Sequence, residues 1–388
     1  MVPISYNVRS LLVRKATTIA TALGIGLVVF VLAASMMLSD GIRKTMNATG
    51  STDRAIVLRD GSDAELSSSI DLSTAKLVMD SPGVKRGPDG PLGVGELVVV
   101  IALEKLGEDG KVSNVQVRGV PENALTFHSG VHIIDGRPAK PGTDEVIVGK
   151  RIRGRFAHVD LGESFELKNN RPVTVVGVFE DGGSSHESEI WADVDTVRSS
   201  FGRDNLVSSV TVKLTSSAAY DTFAAKVESD KRLGLDAMRE RTYYENSSEG
   251  TARFMGIMGM VIAIFFSFGA MLGALITMQG AVVQRQREIG TLRALGFSRF
   301  SILLSFLLEA VMIALAGGLI GMVAALLMGF VEFSMMNFAT WSEIVFTFDP
   351  TPWTLFLALL FGTVMGVIGG FLPAIRAARI RPAEAMRG

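Results

Sequence analysis

The chain contains no cysteine. That excludes a disulfide framework, a cysteine-ligated metal and the modified cysteine of a lipid anchor. Histidine is scarce too, with four in 388 residues. No His-Glu-x-x-His or Gly-x-Ser-x-Gly spacing occurs, so the signatures of zinc proteases and nucleophile-elbow hydrolases are missing. Neither sign of charge dominates: 38 Lys and Arg stand against 39 Asp and Glu, a formal net charge of −1. That balance leaves no electrostatic footprint for nucleic acid.

Apolar residues, by contrast, make up 48% of the chain, and they gather in four long stretches. The pattern predicts transmembrane helices over 17–38, 255–283, 301–331 and 354–372, each long enough for a hydrocarbon core of about 30 Å. Residues 17–38 exceed the roughly 7–15 apolar residues of a secretory signal, and although Ala33-Ala34-Ser35 lies near their end they lack a clean small-x-small cleavage site, so they read as an uncleaved anchor rather than a cleaved signal. Residues 39–254 are polar enough and long enough for a domain of their own. The expected fold class is a membrane protein with four transmembrane α-helices and a large extracytoplasmic α+β domain between helices 1 and 2.

Basic residues set the orientation. Arg9, Arg14 and Lys15 precede the first span. Arg285, Arg287, Arg293 and Arg299 lie between the second and third, and Arg376, Arg379, Arg381 and Arg387 follow the fourth. Segment 332–353 holds Glu332, Glu343 and Asp349 and no Lys or Arg. The amphipathic segment 1–16, the loop 284–300 and the tail 373–388 are therefore expected in the cytoplasm, which puts both termini there. Domain 39–254 and the short loop 332–353 are expected outside.

In the outer segment, β-prone runs recur at Glu96 to Leu103, Val112 to Val120, Glu145 to Val148, Pro172 to Phe179 and Val207 to Leu214. Asp109-Gly110 signals a hairpin turn. Helical patterns cover Leu72 to Met79, Val194 to Phe201 and Ala218 to Val227. An α+β domain in two lobes is expected. His186, in Gly182-Gly183-Ser184-Ser185-His186-Glu187, reads as part of a solvated loop. Lys231-Arg232 and Arg239-Glu240-Arg241 read as solvated helix faces. Ser39 to Asn47 and Leu235 to Arg253 read either as helical stalks continuing the spans or as flexible linkers.

Within the spans, small residues recur every four positions: Gly269 and Gly273, Gly317 and Gly321, then Gly362, Gly366 and Gly370. Such spacing lets helix backbones approach closely, inside one bundle or against a second subunit. Glu309 is an acid in the third span, costly there unless paired; Arg293 and Arg299 are the nearby candidates. No continuous polar pathway is visible, which weighs against an autonomous channel or ion-coupled transporter. Between spans two and three, Gln284 to Arg299 reads as a short amphipathic helix. Ile289, Leu292 and Arg293 share a face at i, i+3, i+4, and Gly296 supplies a stop. Such a helix could lie among headgroups or dock in a protein groove.

Residues Arg285 to Gly296 resemble the Arg-x-Arg-Glu-Ile-Gly-x-Leu-Arg-Ala-Leu-Gly stretch of the FtsX/MacB-like, or type VII mechanotransmission, ABC transporter permeases. Phe297 stands where that family more often has Ala. The tail Pro373-Ala374-Ile375-Arg376-Ala377-Ala378, followed by Pro382 to Arg387, is similar to the family's C-terminal signature. Glu309 sits where many members carry an acid, and Leu23-Gly24-Ile25 resembles their first span, with Thr17 replacing a frequent Arg. Asp135-Gly136-Arg137-Pro138, Asp144 to Gly149 and Val173 to Val178 are similar to the family's periplasmic core domain.

The resemblance implies a permease subunit in a bacterial cell inner (cytoplasmic) membrane, multi-pass, whose coupling helix docks on a cytoplasmic ABC ATPase dimer. Arg285, Arg287, Glu288, Ile289, Gly290, Leu292, Arg293 and Gly296 are the coupling residues it assigns. ATP-driven closure would rock this chain against a second copy or a related permease, with the stalks passing the motion outward. The chain itself is expected to be no enzyme, with no catalytic, cofactor or metal site, ATP and Mg residing on the ATPase. The phosphate-cradling motif is missing: Gly149-Lys150-Arg151 lacks the earlier glycine and the following Ser or Thr. The ATPase is therefore expected on a separate polypeptide. Membrane lipids, and a periplasmic adaptor or lipoprotein, are the other partners implied; nucleic acid is not. The family's roles are export or extrusion of periplasmic cargo, lipoprotein release, and, as the alternative, regulatory scaffolding that activates a cell-wall hydrolase.

Overall fold

The computed structural model describes residues 4–88, 90–108, 110–168, 170–230, 233–337 and 340–381. Asp109 of the expected turn, the pair Lys231-Arg232 and the tail from Pro382 onward lie outside the described residues. The chain forms two compact units. The first comprises Met1–Asp40, Arg253–Val331 and Thr347–Gly388; the second comprises Gly41–Ala252 and Glu332–Phe346.

The chain opens with α1 (Ile4–Val13) and α2 (Lys15–Thr49). There follow β1 (Arg54–Arg59), β2 (Ile70–Asp71), α3 (Leu72–Met79), β3 (Arg86–Gly87), β4 (Gly90–Pro91), β5 (Gly93–Glu104), β6 (Val112–Val120) and α4 (Ala124–Phe127). Next come β7 (His132–Gly136), β8 (Glu145–Gly149), β9 (Ser164–Lys168), β10 (Arg171–Glu180), β11 (Glu189–Asp193), α5 (Val194–Phe201), β12 (Leu206–Val207), β13 (Ser209–Lys213), α6 (Tyr220–Ser229) and β14 (Leu235–Arg239). The last third holds α7 (Glu240–Gln284), α8 (Gln286–Ala294), α9 (Arg299–Leu327), β15 (Glu332–Asn337), β16 (Ser342–Thr347) and α10 (Pro352–Arg379).

In the first unit α9 and α10 are long and apolar enough to cross a membrane, as are α2 and α7, which continue beyond it. With 35 and 45 residues, α2 and α7 run about 52 and 68 Å at 1.5 Å per residue, well past a lipid core of about 30 Å. The expected extension Ser39 to Asn47 is thus helical. Its counterpart is not helical throughout: Leu235–Arg239 is a strand paired with β1, because Leu235 and Ala237 alternate inward. Glu240 is also no solvated residue. It is 2% exposed and accepts the Ser51 N–H at 2.7 Å. The fourth span continues through Pro373 to Arg379, so the first part of the expected tail is helix. Thr351 caps its start by accepting the Thr354 N–H, and Pro352 occupies the first turn, where no donor is needed.

Glycine sets the closest helix crossings. A Cβ on Gly317 would lie 2.2 Å from the Ala22 carbonyl oxygen, and one on Gly321 would lie 2.1 Å from that of Gly26, so α9 meets α2 backbone to backbone. Gly366 and Gly370 of α10 abut Ala314 and Ala310 of α9, and Gly362 abuts Val29 of α2. Gly269 and Gly273 behave differently: nothing lies within 4 Å of a Cβ at either position. Gly321→Ala is accordingly expected to destabilise the protein by about 1–3 kcal/mol through overpacking. Gly273→Ala should be neutral or stabilising through helix propensity. Thermal melting of both variants in one detergent checks this, and equal shifts would contradict the packing described.

In the second unit a ten-stranded sheet runs β14-β1-β13-β5-β6-β11-β8-β10-β7, with β9 on β10. The two expected lobes appear as two apolar clusters along this one sheet. Val117, Val148, Val175 and Ile190 centre the first; Val57, Val78, Val210 and Phe223 centre the second. Segment 332–353 is more than a short loop, since β15 and β16 pair as a hairpin. Glu343 of β16 binds Arg155 at 2.6 Å, Lys105 at 2.9 Å and the Ser113 hydroxyl at 2.6 Å.

Candidate functional site

Two polar clusters stand out, one in each unit. In the first unit the helix α8 follows α7 almost without a break. Its end is a Schellman turn: the Gly296 N–H donates to Arg293 O and the Phe297 N–H to Leu292 O, both at 3.2 Å. Gly296 adopts φ +96°, which a side chain would oppose. Ser298 then caps α9 by accepting the Ser301 N–H. The turn between α8 and α9 is therefore defined by local chemistry.

Behind α8, Glu309 is 1% exposed. One of its carboxylate oxygens accepts from Arg14, and the other from Arg285 at 2.9 Å. Arg285 also donates to the Ser10 hydroxyl at 2.8 Å and to Glu288 at 3.2 Å. The Tyr6 hydroxyl donates to Glu288 at 2.6 Å, and the Tyr6 ring lies 4.8 Å from the Arg285 guanidinium. Burial and then the Glu288 carboxylate push the Tyr6 phenol above its usual pKa, so it remains a donor. One buried acid thus ties α1 and the α7–α8 junction to α9.

The partners differ from the candidates Arg293 and Arg299. Arg299 lies ten residues before Glu309 on the same helix, about 15 Å along the axis, and is exposed. Arg293 donates to the Phe297 carbonyl at 3.2 Å. The partners Arg14 and Arg285 come from other segments of the chain, and no sequence spacing ties either to Glu309.

The residues expected to couple divide between two faces of α8. Ile289, Gly290 and Arg285 are buried; Leu292 and Arg293 are half-buried. Arg287, Glu288 and Gly296 are exposed, as are Thr291 and Leu295, the latter 73% exposed. Arg287, Thr291 and Leu295 recur at i, i+4, i+8 and form one outward row. Thr291 and Leu295 were not singled out from the sequence; that spacing was the available signal.

In the second unit, Arg118 is 1% exposed and forks onto three carboxylates. It reaches Glu65 and Glu96 at 2.9 Å and Glu189 at 2.8 Å. His128 bonds the other Glu96 oxygen at 2.8 Å, and Trp191 Nε1 donates to Glu189 at 2.9 Å. Burial alone would push Glu96 and Glu189 upward. His128 and Arg118 outweigh it at Glu96, and Arg118 does so at Glu189, holding both below the usual carboxylate range.

His186 belongs to this hub rather than to a solvated loop. It is 2% exposed and bonds Asp181 at 2.8 Å. Gly182 and Gly183, at φ +56° and +82°, bend the chain so that Ser184 to Ser188 tuck inward. Burial opposes a charged imidazole, yet Asp181 and Glu189 raise its pKa. Asp181 is held at about 2 against its own burial, chiefly by His186. The Ser184 hydroxyl donates to Asp181 at 2.6 Å. Serine and histidine thus share the acid as acceptor, which is not a serine–histidine nucleophile arrangement. Among the described residues no His, Asp and Glu group is placed to hold a metal. The hub is a buried cluster of ion pairs.

Comparison with known proteins covers both units. The model of the MacB-like periplasmic core domain matches residues 18–230, and that of the FtsX-like permease C-terminal matches 260–382. The macrolide export ATP-binding/permease protein MacB of Escherichia coli K12 is 30% identical over 245 residues, which is 60% of this chain and 36% of that protein. MacB of Shigella flexneri is 29% identical over the same shares. The chain therefore spans about a third of the length of these relatives. Among solved structures, the periplasmic region of MacB from Actinobacillus actinomycetemcomitans gives a TM-score of 0.37 at 16% identity, covering 54% of this chain and 98% of that one. The extracellular domain of the noncanonic ABC-type transporter YknZ from Gram-positive bacteria gives 0.35 at 18%, covering 48% and 99%.

Proposed function

Because the chain belongs to the FtsX/MacB-like family of ABC transporter permeases, we propose that it is the membrane subunit that transmits motion of a cytoplasmic ABC ATPase dimer to an extracytoplasmic domain. The observation that carries this reading is the Glu309 clasp. A load applied to the outward row Arg287, Thr291 and Leu295 meets an inner face fixed by Ile289 and by Arg285. Through Arg285 and Glu309 that load reaches α9, and through Ser10 and Arg14 it reaches α1 and the start of α2. The length of α2 and α7 beyond a lipid core favours them as stalks that pass displacement along their axes.

In this reading the chain sits in a bacterial inner membrane with both termini cytoplasmic and works beside a second copy or a related permease. ATP and Mg are bound by the ATPase, which these 388 residues do not encode. The cargo is periplasmic material to be extruded or a lipoprotein to be released, with an adaptor or lipoprotein as a further partner.

Leu295→Asp tests the docking row. An exposed apolar residue at the centre of an interface typically contributes about 2 kcal/mol, so the variant should bind the ATPase about thirtyfold more weakly while keeping the wild-type melting midpoint. Pull-down from native membranes in mild detergent, titrated with purified ATPase, measures this. Wild-type affinity in the variant would remove α8 as the docking element. A cell-wall hydrolase in the pull-down without cargo or adaptor would redirect the reading to a regulatory scaffold.

A further inference from the structure

Beside the clasp, α1 and the α7–α8 junction enclose a cleft of about 460 Å³, lined by Arg9, Ser10, Val13, Arg14, Arg285 and Glu288 among others. This volume falls in the range of small-ligand sites. Three arginines line it, while Glu309 and Glu288 supply the acids that face them. Three positive charges against two negative leave one positive charge over. Arg9 contributes it: it is exposed, and no hydrogen bond or ion pair engages it within the described residues. Arg14 and Arg285 each carry five N–H donors, more than the clasp occupies, so the cleft also offers hydrogen bonds to a second anion.

The surroundings identify the anion's source. Val8 and Leu12 form one exposed row on α1, at 38% and 60% exposure, and Val13, in the row of Arg9, is 78% exposed. α1 therefore presents an apolar strip directly beside its arginines, immediately before a membrane-crossing helix begins at Lys15. A helix of this kind lies in the interfacial plane, at the depth of phospholipid phosphates. Basic pockets at that depth hold anionic headgroups.

We propose that the cleft binds the headgroup of an anionic phospholipid. The single phosphodiester charge balances Arg9, the phosphate oxygens accept from Arg9, Arg14 and Arg285, and an acyl chain lies along Leu12 and Val13. The lipid would brace α1 against the α7–α8 junction, so membrane composition would tune the clasp. The proposal stands apart from the ATPase reading, because its test requires no ATPase.

The experiment is native mass spectrometry of the full chain released from nanodiscs holding equal amounts of phosphatidylglycerol and phosphatidylcholine with matched chains. Wild-type protein should retain phosphatidylglycerol preferentially. Arg9→Gln should lower that preference about fivefold, equivalent to about 1 kcal/mol per basic residue near an anionic surface, with an unchanged melting midpoint. Lys15→Gln, an exposed charge that does not line the cleft, should leave the preference intact. Equal retention of both lipids would overturn the proposal, as would equal losses in the two variants, which would mean general surface attraction. Displacement of the lipid by millimolar inorganic phosphate would reassign the cleft to a soluble anion.

Discussion

Arg285→Met is expected to lower the stability of the detergent-solubilised protein by about 3 kcal/mol, the lower end of the cost of breaking a buried ion pair, and, under the proposed function, to uncouple it from an ABC ATPase. The lower end applies because Arg14 continues to satisfy one Glu309 oxygen; the other is left without a donor in a site 1% exposed. Arg285→Lys should recover little. One ammonium cannot reproduce the planar fork that reaches Ser10, Glu288 and Glu309 together. Arg299→Met, which removes an exposed arginine near the start of α9, serves as the control and should melt like wild type. A double-mutant cycle with Glu309→Gln gives the coupling between the two groups. A wild-type midpoint for Arg285→Met would show that the clasp contributes nothing. A lowered midpoint with intact ATPase coupling would confine its role to stability.

The four apolar helices and the family resemblance were legible because their signals are local. Long apolar runs and a contiguous motif need no knowledge of what packs where. The clasp was not legible: Arg14 and Glu309 lie 295 residues apart, and nothing in the spacing of either predicts the other. The glycines show the same limit differently. Four-residue spacing states that close approach is possible without saying which face has a neighbour. Gly269 and Gly273 share the pattern and meet nothing, whereas Gly26 and Gly259, not singled out, sit at tight crossings.

In the sheet, β6 coincides with the β-prone run Val112 to Val120. Val115 and Val117 do face the apolar core, but Gln116 and Arg118 on the other face are also buried. Both faces of this strand are covered. A polar alternation distinguishes two faces and does not report what covers the second one. The apolar neighbours of Glu96 and Glu189 in their own strands were the remaining hint that those acids lie inside.

That second face sets the other large effect. Arg118→Met should prevent the second unit from folding at neutral pH. The guanidinium is the shared partner of Glu65, Glu96 and Glu189, and all three remain buried after the substitution. Each broken pair of this kind costs about 3–5 kcal/mol. Even one full cost and a fraction of the next approaches the roughly 5–15 kcal/mol of net stability typical of a domain. His128 offsets only part of the charge, since it faces Glu96 alone at hydrogen-bond distance. Removing the charges together should reverse much of the loss. The quadruple variant Arg118→Met, Glu65→Gln, Glu96→Gln, Glu189→Gln removes the guanidinium and its three carboxylates together, and replacing a whole buried ionic cluster by neutral groups is often tolerated. Limited proteolysis of the membrane-inserted protein reads both. The single variant should be cut throughout residues 41–252, and the quadruple variant should be largely protected. Full protection in Arg118→Met would mean that the three acids find other partners or take up protons without cost. Equal cleavage of both variants would show that the hub's geometry, rather than its charge balance, holds the sheet together.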